Sequence, residues 1–134
     1  MSQEDVEALK RGIDAFNRRD LSALLKELDP NVEWHSALPV LLAGERTVYR
    51  GHEGVRDMIR ESDEVSDYQV ELSEIRDLGD QLLGIGHART RGARSGIELD
   101  SPWFALVELN ESRAIRIRTY LDRTKALEAA GLRE

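Results

Sequence analysis

Apolar residues recur every three or four positions over Val6 to Phe16, Leu21 to Leu28 and Val55 to Ile59, and every second position from Tyr68 onward. That change of period is the strongest constraint this chain places on its fold. Val6, Leu9, Ile13 and Phe16 form one helical stripe, and Ser2 with Asp5 resembles a capping box at its start. Asp20 stands where a second helix must begin, with Leu21, Leu24, Leu25 and Leu28 as its buried face. Pro30 is expected to stop that helix and force the chain to extend through Asp29-Pro30-Asn31-Val32-Glu33-Trp34-His35. A third helix is expected from His52 to Asp63, with Val55, Met58 and Ile59 turned inward.

Beyond residue 66 the pattern is that of strands. Tyr68, Val70 and Leu72 alternate, and Ile75 falls out of phase by one, which predicts a bulge near Ser73-Glu74. Strands are expected over Leu82 to Arg91, Ile97 to Leu109 and Ala114 to Leu121, separated by turns at Leu78 to Gln81, Gly92 to Gly96 and Asn110 to Ser112. A last helix from Thr124 to Ala130 ends at Gly131. Helices first and a largely antiparallel sheet after make one α+β domain over residues 1–134, the three helices plugging the hollow of a curved sheet.

Composition narrows the partners. A formal charge of −7 argues against nucleic acid or an anionic membrane. The absence of cysteine excludes disulfides, thiolate catalysis and cysteine-ligated metals. Three dispersed histidines without ligand spacing imply no metal site, and no cofactor is implied. The acidic Ser2-Gln3-Glu4-Asp5 stretch is unlike an export signal, so the expected compartment is the cytoplasm. Sixteen arginines against three lysines suggest a GC-rich, bacterial genome.

Alternation sorts the strands into faces. Ile97, Leu99, Ser101, Trp103, Ala105, Val107 and Leu109 share the face expected to meet the helices. The opposite face is apolar at its centre, at Phe104 and Leu106, with Leu83 and Ile85 beside it. With no helix expected to cover it, the economical partner is a second copy of the chain. Val32, Trp34 and Ser36 fall together, and Glu33 and His35 fall opposite. Leu82, Gly84, Gly86, Ala88 and Thr90 form a mostly small face that would leave room beside Trp34 and Trp103, or else allow the strand to bend.

The junction Phe16-Asn17-Arg18-Arg19-Asp20-Leu21, the strand from Asp29 to Trp34, and Tyr49-Arg50-Gly51-His52-Glu53-Gly54-Val55 occur in an order that resembles the SnoaL-like branch of the nuclear-transport-factor-2-like superfamily. The ending Tyr120-Leu121-Asp122-Arg123 and Ala126 to Leu132 fits it too. The resemblance implies a cone-shaped α+β barrel, usually dimeric, with a pocket in the cone. Its known activities include isomerases, cyclases and epoxide hydrolases. On a nearly ungapped correspondence, the tyrosine and two aspartates of ketosteroid isomerases would fall on Gly12, Ser36 and Ala105. The arginine and two aspartates of limonene-type epoxide hydrolases would fall on Gly86, Ala88 and Thr119. Neither set of groups is present.

The expected pocket is therefore lined by Trp34, Ser36, Tyr49, Trp103, Thr119 and Tyr120, and suits a small apolar or polycyclic molecule. If the protein is an enzyme, cofactor-independent proton transfer beside a carbonyl is expected, with His35 or Asp122 as base. The rivals are a catalytically silent binding protein and a filled cone that acts only through its dimer or another partner.

Overall fold

The computed structural model describes residues 3–37 and 47–132. Ser2, and with it the expected capping box, lies outside them. Helix α1 (Gln3–Arg18) and helix α2 (Leu21–Lys26) lead into strand β1 (Leu28–Ser36). Strand β2 (Thr47–Arg50) precedes helix α3 (Gly51–Val65). Strands β3 (Ser66–Asp77), β4 (Leu82–Gly92), β5 (Glu98–Asn110) and β6 (Arg113–Tyr120) follow, and helix α4 (Arg123–Ala130) ends the fold. The strands form one open sheet in the order β2-β1-β6-β5-β4-β3, antiparallel except where β1 runs parallel to β6.

Most element boundaries follow the sequence pattern. Asp20 caps α2 by accepting from the Ala23 amide, and Asp122 caps α4 by accepting from the Lys125 amide, both at 3.1 Å. Gly131, at φ 76°, closes α4 in the left-handed conformation. The β3 bulge falls between Leu72 and Glu74 as expected. Pro30 does not stop α2, however. The helix ends at Lys26, and the Glu27 carbonyl instead accepts from the Ala114 amide of β6 at 2.9 Å. Pro30 sits inside β1, where the pairing with β6 shifts register between Leu28 and Glu33 and one missing N–H disturbs little.

The α1–α2 junction ties the helices to the sheet. Arg19 takes a left-handed conformation at φ 56°, which costs a non-glycine residue about 1 kcal/mol. Amides of Arg19 and Asp20 return to the Phe16 and Ala15 carbonyls, the pattern of a helix closed by a left-handed residue. The Arg19 guanidinium offsets that cost. It donates to Asp63 on α3, to the Phe16 carbonyl and to the Tyr68 carbonyl, and it lies 4.6 Å from the Phe16 ring centroid. Beside it, the Asn17 side chain accepts from the Val70 amide at 2.9 Å and donates to the Val70 carbonyl at 2.7 Å. Strand β3 is an edge of the sheet, so Asn17 replaces a missing neighbouring strand there.

Two apolar clusters result. The larger, between helices and sheet, holds Leu9, Phe16, Val55, Trp103 and Val107. The smaller lies on the opposite side of the sheet, where Ala126 and Leu127 of α4 cover Leu83, Phe104 and Leu106. This corrects the expectation that no helix would cover that face: α4 folds back onto it. Ile97 and Leu99, expected to meet the helices, are 64% and 51% exposed because the β4–β5 hairpin overhangs the core.

Gly86 shows what the small residues of β4 do. A Cβ there would lie 2.0 Å from the Glu71 carbonyl oxygen, because the bulged β3 crosses close to it. At Gly84, Leu9, Leu72 and Trp103 already occupy the space within 4 Å. These glycines allow bending and close packing, and do not open a pocket. Substitution Asn17→Ala should destabilise the fold by about 2 kcal/mol, the cost of two orphaned backbone groups. Gly86→Ala should cost about 3 kcal/mol through overpacking. Urea unfolding of both variants checks the pair, and midpoints equal to the parent's would contradict this account.

Candidate functional site

Between the helices and the sheet lies a cavity of about 80 Å³. Its size and lining follow from the periods already read in the sequence. Helices α1 and α3 present Leu9, Phe16, Met58 and Ser62 to it. The inward faces of β1, β3, β5 and β6 present Trp34, Tyr68, Trp103 and Ile117. The aromatic rings are coupled: Phe16 lies 6.0 Å from Tyr68, edge to face, and 6.3 Å from Trp34. The volume is about half that of the ~150 Å³ engineered cavity that takes up benzene.

Trp34, Ser36, Trp103 and Thr119 line the cavity, as the alternation required. The Thr119 hydroxyl is engaged in fixing the end of β1: it accepts from the Ala37 amide at 2.8 Å and donates to the His35 carbonyl at 3.2 Å. Tyr49 and Tyr120 are not among the described lining residues. Tyr49 packs on the rim of the larger cluster, and burial followed by the Glu61 carboxylate pushes its phenol pKa up. Tyr120 packs on the other side of the sheet, against the α4 cluster.

Neither expected base reaches the cavity. His35 points to the outer face, where its Nε2 is hydrogen-bonded to Glu33. Arg50 and Arg116 stand 3.9 and 3.8 Å from the same carboxylate. The histidine contact, more than these arginines, holds the Glu33 pKa below its ordinary value. Asp122 serves as the α4 cap. His52 donates from Nε2 to the Leu28 carbonyl at 3.0 Å, tying α3 to the start of β1. His87 is exposed beside Asp100. Among the described residues no cluster of three potential ligands could hold a metal ion.

Several lining residues were not singled out from the sequence. Glu27 contributes a carboxylate, which Arg11 grips through two nitrogens at 2.9 and 3.1 Å. Tyr68 is almost fully buried, and burial drives its phenol pKa far up, so it stays neutral. The neighbouring Trp103 indole acts in the opposite direction, and burial outweighs it. Ser62 is 8% exposed, and its Oγ has no hydrogen-bond partner. A signal for Ser62 existed: it falls on the Val55–Met58–Ile59 stripe of α3, a hydroxyl at a position the helical period reserves for apolar groups.

A depressed Glu33 pKa adds stability above the unfolded value of 4.5, and that contribution disappears as pH falls through the folded value. Glu33→Gln should therefore be less stable than the parent at pH 6, and less stable by a smaller margin at pH 3. Denaturant midpoints at the two pH values check this. A gap unchanged at pH 3 would contradict it.

The profile of the SnoaL-like domain matches residues 9–117. A search of curated proteins returned no match. Among solved structures, an NTF2-like protein of unknown function from Burkholderia pseudomallei K96243 is similar at a TM-score of 0.80 and 21% identity, covering 96% of this chain and 97% of that one. TerC co-crystallised with polyporic acid is similar at 0.80 and 18% identity, over 96% of this chain and 99% of that one. An LEH-like epoxide hydrolase from M. tuberculosis is similar at 0.73 and 14% identity, over 96% and 90%. At these identities the structural likenesses establish the fold. No helix among the described residues is long and apolar enough to cross a membrane.

Proposed function

Because the chain belongs to the SnoaL-like domain family, we propose that its cone is a binding site for a small, neutral, mostly apolar molecule, and that binding rather than proton transfer is its task. The observation that carries this reading is the lining itself. It is apolar and aromatic, and its one carboxylate among the described residues is held by Arg11. General acid–base chemistry needs a titratable group within hydrogen-bond reach of the reacting atom. His35 and Asp122, the two bases the sequence offered, face elsewhere. The positions matching the epoxide-hydrolase groups carry Gly86, Ala88 and Thr119. A neighbour in fold crystallised with polyporic acid supports the reading that proteins of this shape take up small organic molecules.

Both tryptophans of the chain line the cavity, so intrinsic emission reports occupancy directly. Titration with cyclopentane and cyclopentanone should give a saturable change in emission. Ala105→Leu, which fills the cavity from β5, should weaken that response about tenfold or more, while His35→Ala leaves it unaltered. No saturable change with either probe would overturn the binding reading. Proton-transfer activity that survives Ala105→Leu but is lost in His35→Ala would favour the enzyme.

Self-association is proposed on a separate observation. Beside α4, the outer face carries a half-buried strip of both signs, Glu33 and Glu108 with Arg116 and Arg118. Glu108 Oε2, Arg116 Nε and Arg118 Nε are buried there without hydrogen-bond partners. A strip with both signs can pair with its own copy about a twofold axis. Sedimentation should give twice the 15.2 kDa chain mass, falling toward the monomer in high salt. A monomer at low salt and high concentration would contradict it.

A further inference from the structure

We propose that a second hollow, where α2, α3 and the start of β6 meet, is a binding site for a small organic phosphate monoester. It shares only Leu28 with the lining of the cone. The inference goes beyond the binding reading of the cone and does not depend on it.

Three stretches distant in sequence bring basic side chains to this hollow of about 470 Å³. Lys26 comes from the last turn of α2, His52 and Arg56 from the opening turns of α3, and Arg113 from the first residue of β6. Leu28 pairs with Ala114, which brings the end of α2 beside the start of β6. His52 donates to the Leu28 carbonyl, which holds α3 against both. The side chains of Lys26, Arg56 and Arg113 make no ion pair or hydrogen bond among the described residues. By contrast, Arg11, Arg18, Arg19, Arg60 and Arg76 each hold a carboxylate. No described aspartate or glutamate lines the hollow. The acids beside it in sequence are engaged elsewhere, Glu27 by Arg11, Asp29 by the Asn31 amide and Asp57 by Arg60. Glu53 does not line it. In a chain of formal charge −7, acids are plentiful, yet none is placed to neutralise these three cations. Like charges gathered at one place repel, and an anion between them removes that cost.

The lining selects the kind of anion. A dianion draws on three cations more fully than a single carboxylate does, and guanidinium N–H groups meet phosphate oxygens two at a time. The Ser22 hydroxyl and His52 Nδ1 add further polar atoms. Leu21, Leu25 and Leu28 form an apolar side to the same hollow, which free phosphate would leave bare and the hydrocarbon part of an ester would cover. The net negative charge disfavours nucleic acid or an anionic membrane as the source of the phosphate.

The test is calorimetric titration of the full chain at pH 8 and fixed ionic strength, where a phosphate monoester carries close to two charges. Phenyl phosphate should bind about tenfold more tightly than benzoate, which carries the same ring on one charge, and than inorganic phosphate, which lacks the ring. Arg56→Gln and Arg113→Gln should each weaken phenyl phosphate about tenfold, the worth of one charge-assisted hydrogen bond. Lys10→Gln, an exposed lysine of α1 beside Glu7, should leave it unchanged. Both arginine variants should keep or raise the Tm of the unliganded protein, because each relieves repulsion. A lowered Tm in both would make the arginines structural and overturn the inference. So would the absence of phenyl phosphate binding, benzoate or inorganic phosphate binding as tightly, or an equal loss in Lys10→Gln. The cone is reported separately by cyclopentane, so neither failure carries over to the other site.

Discussion

The side chain of Asn17 bonded to both backbone groups of Val70 is the contact on which the rest of the molecule depends. An open sheet has an edge, and β3 is one edge here. By occupying it with an amide, the chain both protects the strand and fixes how far α1 stands from the sheet. Arg19, two residues on, extends the clamp to α3 and to Tyr68 at the price of a left-handed backbone. The helices are thereby held at a distance the side chains do not entirely fill. The cavity is what remains between a fixed frame and the residues packed inside it.

Much of this was legible in the sequence because it depends on period and on local chemistry. The caps at Asp20 and Asp122, the Gly131 terminator, the β3 bulge and the inward set of Trp34, Ser36, Trp103 and Thr119 all follow from neighbours within a few residues. What was not legible depends on partners far along the chain. Pro30 does not end α2, because Ala114 takes the Glu27 carbonyl from across the sheet. The outer face at Phe104 and Leu106 looked uncovered because the short α4 gave no sign of which side of the sheet it would choose. Gly86 read equally well as pocket space or as a bend, and only its distance to Glu71 decides for the bend.

The site divides the same way. Its aromatic walls could be anticipated, and its polar groups could not. His35 and Asp122 drew attention as titratable residues near the ends of strands, yet each is engaged in a local contact outside the cavity. Ser62 and Tyr68 are less conspicuous in sequence, a serine on a helix and a tyrosine in an alternating strand. Ser62 matters because burial removes water as an alternative partner for its hydroxyl. The proposed binding role rests on this aromatic lining, in which the Glu27 carboxylate is already gripped by Arg11.

The central claim is that the cone is hollow where the two tryptophans meet α3, and the most direct measurement is a crystal structure determined under xenon pressure. Xenon enters small apolar cavities without needing a specific ligand. The account predicts a xenon atom among Trp34, Met58 and Trp103, with the surrounding side chains unmoved. A crystal in which those side chains meet one another, leaving no xenon between helices and sheet, would contradict it.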